Sequence, residues 1–341
     1  METISYKVGF IGGGNMSTAI MRGILRNEAQ KPSDIWVSGP RIVNLKHWQD
    51  IGANVTTSNR EVLLECDIVF LGVKPGMLEA ALSACVINDP RPLVIGTSKI
   101  LVSMLVGITI ERVHQALQSI LPPPSCIKVI RIMPNTPMMV GVGSCLYSPD
   151  AKATQEDCML LKALLSKSAV TDQIPETMID SLGSLTGCGP AFVYIIIEAL
   201  ADGAVKQGVP RAVALRQAAQ VVVGSGQMVL QTGKHPAQLK DEVCSPGGST
   251  ICGVTALETG KIRATLINAI EAATLRTMEI SKKMGCNISC RPCCCCCVPC
   301  LCCECCSDPP RPHVVHHHHV DVINMPPRPP PGGYGPPPPY R

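Results

Sequence analysis

The sequence predicts an α/β fold in which a doubly wound, mostly parallel sheet is followed by an all-helical domain and a biased tail. Three observations carry this reading. Short Val/Ile/Leu runs alternate with amphipathic stretches through the first half. Long Ala-rich segments of helical period fill the second half, with no strand-like run among them. After about residue 285 the composition changes to Cys, His and Pro.

Strands buried on both faces read as continuous aliphatic runs rather than alternating ones. Tyr6–Ile11, Ile35–Ser38, Asn54–Thr56, Ile68–Val73 and Lys128–Met133 have this character. The stretch Leu93–Val106 holds two candidate strands, Leu93–Gly96 and Ile100–Val106. Helix-like segments fall between the strands at Asn15–Arg26, Val43–Asp50, Arg60–Glu65, Met77–Cys85 and Glu111–Ile120. This alternation argues for a parallel sheet covered by helices. Ser144–Tyr147 and Val170–Ile174 read as later strands flanking a helix at Asp157–Ser166. Beyond Pro175, Ala191–Lys206, Arg211–Gln231 and Lys261–Lys283 read as long helices. The domains are therefore expected at 1–175, 176–284 and 285–341, the last a disordered low-complexity tail. Small residues on long helices suit close packing, either against a second copy of the chain or within a self-contained bundle.

Composition narrows the function. The chain has 341 residues and a formal charge of +4, too small to imply a nucleic-acid or membrane-surface partner. Its 20 Cys suggest a disulfide framework until they are located. Eleven lie between Cys290 and Cys306, and the other nine are scattered singly over 66–286. Single cysteines point to a reducing, cytoplasmic setting. Met1–Tyr6 is too short for a targeting peptide. The longest apolar stretch, Leu93–Ile110, is interrupted by Thr97, Ser98 and Lys99 and makes a poor membrane span. The tail cysteines and His316–His319 carry thiolate and imidazole ligands but lack the spaced pairs of a zinc site, so no metal is expected.

The chemistry begins at the first strand. Gly9-Phe10-Ile11-Gly12-Gly13-Gly14-Asn15-Met16-Ser17 leaves that strand and opens a helix. A dinucleotide site needs glycine at the sharp turn and where backbone meets pyrophosphate, whose charge rests on free N–H groups at the helix start. Gly12 and Gly14 suit those places, and Ser17 takes the third, small position. The second strand ends in Ser38-Gly39-Pro40-Arg41, with no carboxylate to bond a ribose diol. A guanidinium there suits a 2′-phosphate, so NADPH is preferred over NADH. Val73-Lys74-Pro75 places Lys74 beyond a strand's carboxyl end, where open α/β sheets bind ligands. Met133-Pro134-Asn135-Thr136-Pro137 ends a later strand in the same way.

Two glycine-rich turns mark the helical half. Thr186-Gly187-Cys188-Gly189-Pro190-Ala191-Phe192 precedes a long helix, with Pro190 in its first turn. Val243-Cys244-Ser245-Pro246-Gly247-Gly248-Ser249-Thr250 is a second such turn, leading to Thr255-Ala256-Leu257-Glu258. Consecutive N–H groups of Gly248, Ser249 and Thr250 would form a nest for a small anion such as a carboxylate.

Taken together, VGFIGGGNM, FLGVKP, RIMPNTP, LTGCGPAF, ALADGAVKQGVPR and HPAQLKDEVCSPGGST make the chain resemble the pyrroline-5-carboxylate reductase family over about residues 5–284. The likeness is nearest its animal cytosolic branch. The resemblance implies a Rossmann-type domain, a helical dimerisation domain and higher homo-oligomers. It implies reduction of 1-pyrroline-5-carboxylate to proline by NADPH, with NADH as the alternative donor. By motif position, Ile11, Gly12, Gly13, Gly14, Asn15 and Met16 would cover the pyrophosphate. Gly39 and Arg41 would lie near the adenosine 2′ position and Asn59 near the adenosine. Gly72, Val73, Lys74 and Pro75 would run along the cofactor, and Val106 would flank the nicotinamide. Gly248, Ser249 and Thr250 would hold the substrate carboxylate, Glu176 would approach the substrate, and the Thr250 hydroxyl would bond the ring nitrogen.

The sequence also departs from the family. Cys188 stands where Ser is usual, and Glu242 where Asn is common. The 93–107 segment carries about six extra residues, and Met104-Leu105-Val106-Gly107 is bulkier than the small loop expected. That bulk supports a competing expectation: an NADPH-binding sensor or scaffold with impaired catalysis. A β-hydroxyacid dehydrogenase is disfavoured because no Lys follows the Thr186–Phe192 motif before Lys206.

Overall fold

The computed structural model describes residues 6–26, 30–87, 89, 91–121 and 126–286. The disordered-tail expectation concerns residues outside these, apart from Gly285 and Cys286, which close the last helix.

The first half is a single eight-stranded sheet. Its strands are β1 (Val8–Ile11), β2 (Ile35–Ser38), β3 (Asn54–Thr56), β4 (Ile68–Leu71), β5 (Lys99–Ser103), β6 (Ile127–Pro134), β7 (Gly143–Pro149) and β8 (Ala169–Gln173), in the order β3-β2-β1-β4-β5-β6-β7-β8. The first six run parallel. The helices between them are α1 (Asn15–Arg26), the single turn α2 (Lys46–Gln49), α3 (Asn59–Glu65), α4 (Leu78–Ile87) and α5 (Ile110–Gln118). Alternate strand residues feed two cores, one on each face of the sheet. Phe10, Ile68, Phe70 and Val102 serve one face; Ile11, Val69, Leu71 and Leu101 serve the other. β7 runs antiparallel to β6 because Asn135–Val142 is too short for a crossover. Gly141, at φ +85°, ends the intervening 3-10 turn. After α6 (Gln155–Leu165), β8 pairs parallel to β7.

One predicted strand is absent. Leu93–Gly96 forms no strand, and β5 alone fills that place. The intervening chain is gathered by the Arg60 guanidinium, which donates to the carbonyls of Cys85, Arg91 and Pro92. Lys99, at the head of β5, donates to the Leu64 and Cys66 carbonyls at 2.8 and 2.6 Å and closes the end of α3.

The helical half holds α7 (Ile179–Gly183), α8 (Gly189–Lys206), α9 (Arg211–Thr232), α10 (Pro236–Glu242), α11 (Ser249–Thr259) and α12 (Ile262–Cys286), with a π-helical turn over Ser184–Cys188 joining α7 to α8. The short helices α7, α10 and α11 were not expected from the sequence. α8 and α9 meet through small residues, Ala201, Ala214 and Ala218, the buried residues of these two helices. Elsewhere large apolar side chains face outward, including Ile195, Val221, Leu230, Ile267 and Leu275. An exposed apolar surface of this extent marks an association face. The stretch Glu176–Lys206 is also long and apolar enough, by length and composition alone, to cross a membrane.

Candidate active site

The strand order reverses between β1 and β4, and the chains leaving these two strands frame a crevice. Gly12, at φ +101°, begins the turn. A Cβ there would stand 2.8 Å from the Gly72 carbonyl oxygen, so the two loops touch backbone to backbone. The Gly72 N–H donates to the Ile11 carbonyl at 2.9 Å. Gly13 has no room for a side chain: its Cβ would meet Leu45 Cδ2 at 2.4 Å and Trp48 Nε1 at 3.0 Å. A Cβ at Gly14 would meet nothing within 4 Å. The loop is thus closed beneath and open at the helix start, as a bound pyrophosphate requires. Asn15 and Met16 form the first turn of α1. Ser17 is buried, and its hydroxyl donates to the Gly12 carbonyl at 2.6 Å. A dinucleotide fits the residues present.

The adenosine end is only partly free. Gly39 donates its N–H to the Thr56 carbonyl. Arg41 is exposed and begins the 3-10 turn Ile42–Leu45, where a phosphate could be met. Asn59 is committed elsewhere: it accepts from Ser38 Oγ at 2.7 Å and donates to the Ala81 carbonyl at 2.9 Å, tying the end of β2 to α4. On the other flank Val73 and Pro75 are half-buried and Lys74 is exposed. The Lys74 carbonyl accepts from the Met77 N–H.

The loop after β5 resolves the concern over bulk. Leu105 is buried in the core of one face and Met104 packs against that of the other. Val106, 38% exposed, is the large side chain left outside. The altered segment therefore does not crowd the crevice with three large side chains, which removes the observation behind the sensor reading.

Asn135 is a turn residue rather than a free ligand. Its amide donates to the Thr186 carbonyl at 3.0 Å, and its carbonyl accepts from the Ser144 N–H at 2.9 Å. The Thr186–Phe192 motif is thereby held to the end of β6, with Cys188 half-buried.

The expected three-amide nest is smaller in the structure. The Gly248 N–H donates to the Ser245 carbonyl at 3.1 Å, because Gly247 turns the chain at φ +67°. Gly248 is instead the N-cap of α11, leaving the amides of Ser249 and Thr250 to open the helix. Both residues are exposed, and α11 has no buried residue. Glu176 is also engaged: one carboxylate oxygen accepts from the Ile110 N–H at 2.7 Å and lies 3.3 Å from Arg131 Nη1.

Sequence reasoning missed Arg131 and Asp180. Arg131 is 2% exposed in β6, and its Nη2 donates to Asp180 at 2.7 Å. The signal available was a lone arginine inside an aliphatic strand run, where a charge requires a partner.

Comparison with known proteins agrees with this geometry. The family described as pyrroline-5-carboxylate reductase dimerisation matches residues 176–280. The family described as NADP oxidoreductase coenzyme F420-dependent matches residues 7–107. Pyrroline-5-carboxylate reductase 3 of Danio rerio is 41% identical over 282 residues, covering 83% of this chain and 94% of its own. Pyrroline-5-carboxylate reductase 2 of Homo sapiens is 38% identical over 275 residues, covering 80% and 83%. The solved Plasmodium falciparum pyrroline carboxylate reductase with NADP bound superposes with a TM-score of 0.69 at 30% identity, covering 81% of this chain and 98% of that one. With a parallel sheet carrying a dinucleotide cradle and a helical half that matches this dimerisation region, the chain belongs to the pyrroline-5-carboxylate reductase family.

Proposed function

We propose that this chain reduces 1-pyrroline-5-carboxylate to L-proline with NADPH, the last step of proline biosynthesis. The observation that carries the reading is the open start of α11 at Ser249 and Thr250 within the matched dimerisation region, in a chain that also holds a dinucleotide cradle. NADPH, when bound, supplies the hydride. Ile11 to Met16 would cover its pyrophosphate, with the Gly12 N–H spent on the Ser38 carbonyl at 3.0 Å; Arg41 would meet its 2′-phosphate, and Gly72 to Pro75 and Val106 would line its path. NADH is the weaker donor because no carboxylate ends β2.

The protein's own work is then orientation. The Ser249 and Thr250 amides, at the positive end of α11, hold the substrate carboxylate. The Thr250 hydroxyl oxygen accepts from the ring N–H of the activated iminium. Fixing both ends of a small ring against the cofactor supplies the rate by orientation and electrostatics.

The chain works as a homodimer, and dimers assemble further. The outward apolar residues of α8, α9, α11 and α12 support this. A cytoplasmic setting is supported by eight free cysteines among the described residues. The test is NADPH oxidation with 1-pyrroline-5-carboxylate, with proline identified as product. Tight NADPH binding without imine-dependent oxidation would refute the assignment.

A further inference from the structure

We infer that Arg131 is a positioning residue that sets the nicotinamide-side loop of residues 104–110 against the helical half of the chain. The inference rests on the proposed reductase function for its kinetic readout only.

Arg131 occupies the sheet immediately beside the origin of that loop. It pairs in register with Ser103, the last residue of β5. Its guanidinium spreads to two carboxylates from the start of the helical half. Nη1 meets Glu176 at 3.3 Å and Nη2 meets Asp180 at 2.7 Å. Each carboxylate then reaches the loop or the helix beneath it. Glu176 accepts the Ile110 N–H at 2.7 Å and so fixes the first residue of α5, where the loop ends. Asp180 accepts the Ser281 hydroxyl at 3.0 Å on α12. Ser281 in turn lies against Gly107, at φ +74°, whose Cβ would stand 3.3 Å from Ser281 Cα. The loop is therefore held at its start by strand register, in its middle by α12 and at its end by Glu176. The second and third holds converge on the Arg131 guanidinium, and the first on the backbone of the same residue.

Energetics favour a positioning role over a stabilising one. A buried ion pair repays little more than its own desolvation, so it is a poor source of stability, whereas its geometry is strict. Arginine's planar fork can hold two carboxylates at fixed angles; a lysine ammonium cannot. The Arg131 Nε is buried without a partner, so the pair is not optimised for bonding.

The test compares Arg131→Lys with the wild type. Amide exchange over residues 104–110 is expected to quicken at least about tenfold, and NADPH affinity to stay within about twofold. The kcat for imine reduction is expected to fall about 10- to 100-fold, the scale of a misplacement near 1 Å. The primary isotope effect with 4-deuterated NADPH should rise, because hydride transfer becomes the slow step. Ser281→Ala, which keeps both carboxylates on Arg131, should quicken loop exchange more weakly and serves if Arg131→Lys fails to fold. A lowered Tm with unchanged loop exchange, kcat and isotope effect would overturn the inference and leave Arg131 a stabilising residue. A wild type that does not reduce the imine, yet whose loop loosens in the variants, would refute the function and leave the positioning role standing.

Discussion

The Ser17 hydroxyl and the Gly12 carbonyl oxygen are 2.6 Å apart, a bond that ties the first turn of α1 back onto the loop it emerges from. It lies where Gly72 carries no side chain, since a Cβ there would stand 2.1 Å from the same hydroxyl. Removing the bond frees the pyrophosphate loop without emptying the crevice. Ser17→Ala is expected to weaken NADPH binding about 2- to 10-fold, the worth of one neutral hydrogen bond at ~0.5–1.5 kcal/mol. Fluorescence titration measures this, and unaltered affinity would remove Ser17 from the loop's organisation.

Arg41 distinguishes the two nicotinamide donors if it meets the 2′-phosphate. Arg41→Ala should then raise the KM for NADPH about 10- to 100-fold, as expected for a charged bond worth ~1.5–3 kcal/mol, and leave NADH kinetics unchanged. An equal loss with both donors would place Arg41 elsewhere.

Thr250 is assigned a bond to the substrate ring. Thr250→Ala is predicted to lower kcat/KM about 10- to 1,000-fold, or ~1.4–4 kcal/mol of transition-state stabilisation, with NADPH affinity kept. Steady-state kinetics with both substrates varied decide it; wild-type values would exclude the hydroxyl from the reaction.

Asp157 predicts a pH dependence. Burial would raise its carboxyl, but bonds from Lys128 and from the Thr154 amide and hydroxyl outweigh this and hold it below the ordinary aspartate range. A carboxyl depressed in the folded state stabilises fully above its unfolded pKa and loses that contribution as pH falls through the folded one. Asp157→Asn should therefore lower Tm by about 2–4 °C near neutrality, the equivalent of about 1 kcal/mol. The gap should narrow in acid, and a gap independent of pH would contradict the charge assignment.

The core cysteines are chemically quiet. Burial pushes the Cys66 thiol up to about 12 and the Cys85 thiol to about 11. Cys126 is exposed. Brief alkylation of the native protein near neutrality, read by peptide mass spectrometry, should label Cys126 and spare Cys66 and Cys85. Equal labelling of all three would show that the sheet opens on that timescale.

Much of this fold was legible because both faces of a parallel sheet are covered. β2 and β3 match their aliphatic runs residue for residue, and α1 begins and ends where its periodicity does. Leu93–Gly96 misled because an apolar run shows burial but not hydrogen bonding; Leu93 is buried without joining the sheet. The nest at Gly248 was overcounted because spacing shows which amides are consecutive, not which one the preceding turn consumes. Glu176 could be matched by position but not by partner. Its companions Ile110 and Arg131 stand 66 and 45 residues away in sequence and meet it only after folding.

The outward apolar faces of α8, α9 and α12 have a consequence for how firmly the protein holds together. Helices that bury little within their own chain draw their remaining stability from association. Folding and assembly then obey mass action, and the melting temperature rises with protein concentration. Dilution would loosen first the half of the molecule that carries Ser249 and Thr250, and at low abundance the activity would be lost before the nucleotide-binding sheet unfolds.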